Sequence, residues 1–207
     1  MVDPTKMDLT VLLDPPDLSR LATVLDELGH VGRLATVRAW DGDTQAKLYE
    51  ALKGYKPVTL DDYVPPGVAP LQEVIHHGKN SLPAFTHFQK RVCKPAGDVT
   101  DSLWGYNQNP PFVMWFAGPG FYVARNDEQA AGEVAIDYTR TPPSKPDAWP
   151  AIEPNLKGIG PRAVYGNMVD VMRGLSKHVS IGRAQRVKNG VREWMDAWFV
   201  LCREDAS

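Results

Sequence analysis

The chain has 207 residues, 43% of them hydrophobic and 23% charged, with a formal net charge of −2. That length can bury a full core without disulfides or a structural metal, and the balance is that of an ordinary globular protein. The slightly acidic total argues against a general nucleic-acid binder, which needs a basic face to displace counterions.

No apolar run approaches the roughly 20 residues of a membrane-spanning helix, so no membrane partner is expected. The N-terminal MVDPTKMDLT lacks the basic-then-apolar layout of a secretory signal. The two cysteines, Cys93 and Cys202, fit a reduced, cytoplasmic setting better than a disulfide scaffold.

Asp14-Pro15-Pro16-Asp17 is a helix start, with an acidic cap ahead of proline in the first turn. Leu18, Leu21, Ala22, Leu25 and Leu28 follow at helical spacing, and Gly29 stops them. Leu34, Val37 and Trp40 suit a second helix. After Asp41-Gly42-Asp43, a third carries Leu48, Tyr49 and Leu52. Helices joined by short turns fit either a helix-turn-helix or a helical lid on a sheet. Without a basic footprint the lid is expected. Residues 57–70 form a proline-rich connector in which Thr59 and Asp62 have the spacing of a capped turn.

Residues 71–94 hold the densest polar chemistry. Val74-Ile75 leads to His76-His77 and a turn at Gly78-Lys79-Asn80. Pro83 is expected to open a short helix carrying Phe85, Phe88 and Val92. Residues 104–111 form an aromatic loop. Residues 112–125, FVMWFAGPGFYVAR, are expected to be two strands joined at Gly118-Pro119-Gly120, since proline and glycine suit successive turn positions. Both faces of that hairpin are apolar, so it needs a packed layer on each side, or a layer on one side and a cavity on the other.

Residues 133–139 alternate as a half-exposed antiparallel strand, with Val134, Ile136 and Tyr138 on one face. Residues 141–161 carry six prolines and are expected to be an ordered flap, with Trp149 and Ile152 packed back. Val164, Met168, Val171, Met172 and Leu175 give a helical stripe. Residues 177–187 and 194–203 are strands joined at Lys188-Asn189-Gly190, where Asn-Gly accepts a primed turn.

These elements imply an α+β fold. Its core is an antiparallel curved sheet or small open β-barrel of about five or more strands, with N-terminal helices and one inserted helix. The expected organisation is one domain over 1–207, with a helical part at 14–54, the connector at 57–70 and a sheet-rich part at 71–205. The C-terminal order, a helix and then a hairpin ending in WFVLCRE, resembles small lipocalin-like barrels. No Gly-x-Trp signature stands near a first strand, and no site residue is carried over.

Catalytic chemistry has three candidates. His77 and His87, together with Cys93 or Glu73, are residue types that bind metals, but their spacing matches no ligand pattern, so no metal and no cofactor is assigned. The histidines remain acid–base candidates. Asp196 falls on a face with Trp194 and Trp198, where its charge calls for a partner such as Arg183 or Arg186. The aromatic inventory points to a ligand pocket lined by Trp104, Trp115, Tyr122, Tyr138 and Trp198, with Tyr122, Tyr138 or His87 orienting the ligand. The leading expectation is therefore binding of a small hydrophobic or aromatic molecule. The alternatives are a cofactor-independent isomerase, cyclase or hydratase in the same cavity, and a homodimer closed by the aromatic faces.

Overall fold

A computed structural model describes residues 12, 15–82, 86–97, 99–155 and 164–205. Four helices come first: α1 (Leu18–Glu27), α2 (His30–Ala39), α3 (Gly42–Ala51) and the single turn α4 (Leu60–Tyr63). Strands β1 (Val74–Asn80), β2 (His87–Cys93) and β3 (Leu103–Gln108) follow, then helix α5 (Pro111–Ala117). The chain closes with β4 (Tyr122–Asn126), β5 (Val134–Asp137), β6 (Met168–Gly174), β7 (Val179–Lys188) and β8 (Val191–Arg203). The strands form a closed antiparallel barrel in sequence order, with β8 returning to pair with β1. No helix among the described residues is long and apolar enough to cross a membrane.

The barrel, its antiparallel pairing and the N-terminal helices match the expectation from sequence. Its closure and its eight strands correct the smaller, open estimate. Two of the missed strands, β3 and β6, share a physical cause. All but the last residue of β3 are buried, as are all but the first of β6. With the inner face in the core and the outer face under a cover, period-two alternation disappears. Val171 and Met172 in β6 therefore read as a helical stripe; β2 does alternate, and there the four-residue spacing of Phe88 and Val92 suggested a helix, while Pro83 and Phe85 lie outside the described residues. The turn placed at Gly78-Lys79-Asn80 is the end of β1.

The hairpin expected at residues 112–125 is also corrected. Pro111 sits in the first turn of α5, where its missing N–H costs nothing. Gly118, at φ 77°, then ends the helix in a conformation that glycine tolerates. The Gly-Pro-Gly segment is thus a helix stop feeding β4.

Each wall of the barrel is shielded by something different. Phe88, Leu103, Tyr122, Ile136, Met172 and Leu201 are among the residues that fill the interior. Three interior rings lie across glycines on the neighbouring strand: Phe88 over Gly78, Tyr122 over Gly105 and Phe199 over Gly182. A Cβ at those glycines would stand 2.4, 2.3 and 2.3 Å from the ring. Only a hydrogen there lets the rings lie flat across the barrel.

On the outside of β7 and β8, Val179, Ile181, Val200 and Cys202 pack against Leu21, Leu25, Val37, Trp40 and Leu48 of the helical layer. Asp17 caps α1 by accepting from the Arg20 amide at 3.0 Å, and Asp41 caps α3 by accepting from that of Thr44 at 2.8 Å. Asp14 lies outside the described residues.

The connector turns inward. Thr59 donates its amide to Asp62 Oδ2 at 2.8 Å, the reciprocal arm of a capping box. Leu60, Tyr63 and Val64 then join the interior cluster, so α4 plugs one end of the barrel. The described part of the proline-rich segment covers another wall. Trp149 packs with Tyr106, Phe121 and Trp104, and its Nε1 donates to Glu73 Oε2 at 2.6 Å.

Candidate functional site

The end of the barrel opposite the α4 plug holds a cavity of about 160 Å³. Alternation along the strands decides which side chains reach it. On β2 the inward set is Phe88, Lys90 and Val92; on β6 it includes Met168, Asp170 and Met172. Helix α5 closes the mouth: Val113, Phe116 and Ala117 line the cavity, while Phe112 and Trp115 face outward, 65% and 71% exposed. Tyr165 stacks on Tyr138 at 5.2 Å and receives a hydrogen bond from Asn109 Nδ2 at 3.0 Å.

The cavity is mostly apolar, with Asn80 and Asn109 in its lining and one connected group of buried polar side chains. Lys90 and Asp170 are almost fully buried and form an ion pair at 3.2 Å. Lys90 Nζ also donates to Asn107 Oδ1 at 3.0 Å and to the Tyr138 hydroxyl. Its three N–H bonds are thus all used. The rings of Phe199, Tyr138, Tyr122 and Phe88 surround the ammonium at 4.9 to 5.6 Å, adding cation–π attraction. The Tyr138 hydroxyl has one proton and two acceptors in reach, Asp170 Oδ2 at 3.2 Å and Asn107 Oδ1 at 3.3 Å. The carboxylate is the stronger acceptor.

Burial pulls Lys90 below its ordinary pKa and pushes Asp170 above its own, and their mutual attraction opposes both shifts. Burial also lifts the Tyr138 and Tyr122 hydroxyls well above 10, and Tyr165 rises to about 12. All three therefore stay protonated donors near neutrality. The buried polar atoms without a partner among the described residues include Asp170 Oδ1 and the Tyr122 hydroxyl. A carboxylate oxygen buried without a partner costs free energy, and a ligand donor that reaches it from the cavity would recover that cost.

The residues singled out from sequence divide by wall. Tyr138 lines the cavity, and Tyr122 lies inside the barrel beside Lys90. Trp198 borders the rim and carries the Arg183 guanidinium over its ring at 4.8 Å. Trp104 is buried outside the barrel under Trp149, and Trp115 is on the outward face of α5. His87 is exposed at the start of β2. Asp196 has its expected partner, Arg183 Nη2 at 3.3 Å, but its side chain is 89% exposed rather than packed on the tryptophan face. His77 points outward and meets Glu204 at 2.6 Å, away from His87.

The residues that define the polar group, Lys90, Asn107 and Asp170, were assigned no role from the sequence. A usable signal exists for two of them: Phe88-x-Lys90-x-Val92 and Met168-x-Asp170-x-Met172 each place one charge between apolar residues of the same strand face. Compared with family models, with curated proteins and with solved structures, the chain finds no match.

Proposed function

We propose that the barrel binds a small, neutral, mostly apolar molecule carrying a hydrogen-bond donor at one end. The carrying observation is the buried, unpartnered Asp170 Oδ1 beside a cavity lined mostly by rings and aliphatic groups. The volume of about 160 Å³ suits a single-ring compound, since a dry cavity of about that size holds benzene. The Lys90–Asp170 pair carries no net charge, which disfavours an ionic ligand. One donor to a carboxylate contributes about 1.5–3 kcal/mol, which is about 10- to 100-fold in affinity.

Calorimetric titration with p-cresol and with toluene tests this. The expected result is that p-cresol binds at least about tenfold more tightly. Both ligands should be lost in Ala184→Phe, which fills the cavity from β7. The paired swap Lys90→Met with Asp170→Leu should erase the preference without leaving an orphan charge. Saturable binding by neither compound, or binding unaffected by Ala184→Phe, would overturn the proposal.

The contact of Tyr138 with both Lys90 and Asp170 favours a second reading, acid–base catalysis on the bound molecule. A bound donor could pass a proton to Asp170, and Tyr138 could return one. Tyr138→Phe separates the two: a binder keeps its affinity within a few-fold, whereas an enzyme loses turnover.

A further inference from the structure

Outside the barrel, at the seam between helices and strands, three side chains converge from three stretches of chain. His30 is the first residue of α2, His77 lies on β1 opposite Cys202 of β8, and Glu204 directly follows β8. His77 Nε2 and Glu204 Oε1 are 2.6 Å apart, and the His30 and His77 ring centroids are 5.4 Å apart. One ligand atom from each residue lies within 4.8 Å of the other two. His30 Nδ1 is buried and has no hydrogen-bond partner among the described residues, although buried polar atoms are normally satisfied.

We propose that His30, His77 and Glu204 bind one divalent transition-metal cation, zinc foremost, at the junction of α2 with the barrel. Two imidazoles and a carboxylate are the donor types that zinc takes, and three protein ligands leave a fourth tetrahedral position for water. Bonds of about 2.0–2.2 Å place tetrahedral donors about 3.4 Å apart. The ion would therefore replace the direct His77–Glu204 hydrogen bond and draw His30 inward. Glu204 has the freedom to adjust, being 41% exposed. Arg33, one turn along α2, is already paired with Asp205, so its charge is compensated. Once bound, the ion ties α2, β1 and the segment after β8 together and clamps the helical layer to the wall. The site shares no residue with the cavity, and the failure of either proposal leaves the other intact.

The test uses tag-free protein stripped with chelator and titrated with zinc chloride by calorimetry, with cobalt(II) absorption reporting the coordination. One equivalent should bind, with the visible bands of a tetrahedral cobalt site, and zinc should raise the melting temperature by about 2–8 °C. His30→Ala, His77→Ala and Glu204→Gln should each weaken binding by at least about tenfold and abolish the thermal shift. The exposed His87→Ala serves as a control and should change neither. Circular dichroism of the metal-free variants checks folding. If a histidine variant fails that check, Glu204→Gln, altered in the segment after the last strand, decides the matter. No stoichiometric uptake, or uptake retained in these variants, would overturn the proposal.

Discussion

His76 is a buried base whose protonation opposes folding. It is 2% exposed, and its Nε2 lies 3.0 Å from the Tyr63 carbonyl oxygen. That oxygen only accepts, so Nε2 carries the proton and the ring is neutral. Burial pulls its pKa from 6.5 to about 3, with Arg203 and Lys90 adding repulsion against a charged ring. The unfolded chain takes up a proton near 6.5, and the folded one only near 3. The stability is therefore complete above 6.5 and is lost as pH falls through that window. His178, pulled down to about 4 by burial and by Arg33 and Arg203, acts in the same direction. For His76 the slope is at most about 1.4 kcal/mol per pH unit. Urea unfolding from pH 7 to 4.5 should show a steep loss in the wild type and a shallower one in His76→Gln, which keeps a donor for Tyr63. Equal slopes would show that another group governs the acid limit. Neither His76 nor Lys90 was legible as an interior residue. Each is polar, and only the pairing of β1 with β2, which sets His76 opposite Lys90, shows that both face inward.

Among the elements, helices were easier to read than strands because their signals are local. Leu21 and Leu25 on one stripe, with Asp17 as cap, need no knowledge of what they pack against. The strand signal in a sequence is polar residues marking one face. It was present in β5, although all four of its residues are buried and the half-exposed strand expected there is corrected, and it vanished for β3 and β6. Residues 112–117 misled for a related reason: Phe112, Trp115 and Phe116 are apolar yet exposed on α5, so hydrophobicity alone implied a buried strand. The strand glycines were equally opaque, because their purpose lies on the neighbouring strand. Adding a Cβ at Gly105 puts it 2.3 Å from the Tyr122 ring, so Gly105→Ala should destabilise by about 1–3 kcal/mol through overpacking. Gly67→Ala, with nothing within 4 Å of its Cβ, should stay within about 0.5 kcal/mol. Denaturant midpoints of the two variants check the contrast, and similar values would show that the ring yields freely.

The whole molecule is tied together by β8, whose thirteen residues serve two cores. Phe199 and Leu201 belong to the interior, and Val200 and Cys202 belong to the cluster under the helices. A strand shared in this way couples the helical layer to the barrel. Far-UV dichroism, which weights the helices, and tryptophan fluorescence, which samples Trp40 in the layer and Trp104 on the barrel, should therefore trace one coincident unfolding transition. Two separated transitions would mean that the layer melts alone. From sequence alone came the three N-terminal helices and their covering role, the strands now seen as β5, β7 and β8, and Tyr122 and Tyr138 as residues worth watching. Those inferences rest on spacing within one segment, where 3.6 and 2 residues per repeat leave a direct mark. Closure into eight strands, the α4 plug, the Lys90–Asp170 pair and the meeting of His30 with His77 and Glu204 were decided only in three dimensions. Each joins residues far apart in the chain, and no local period records which distant strand a side chain will face.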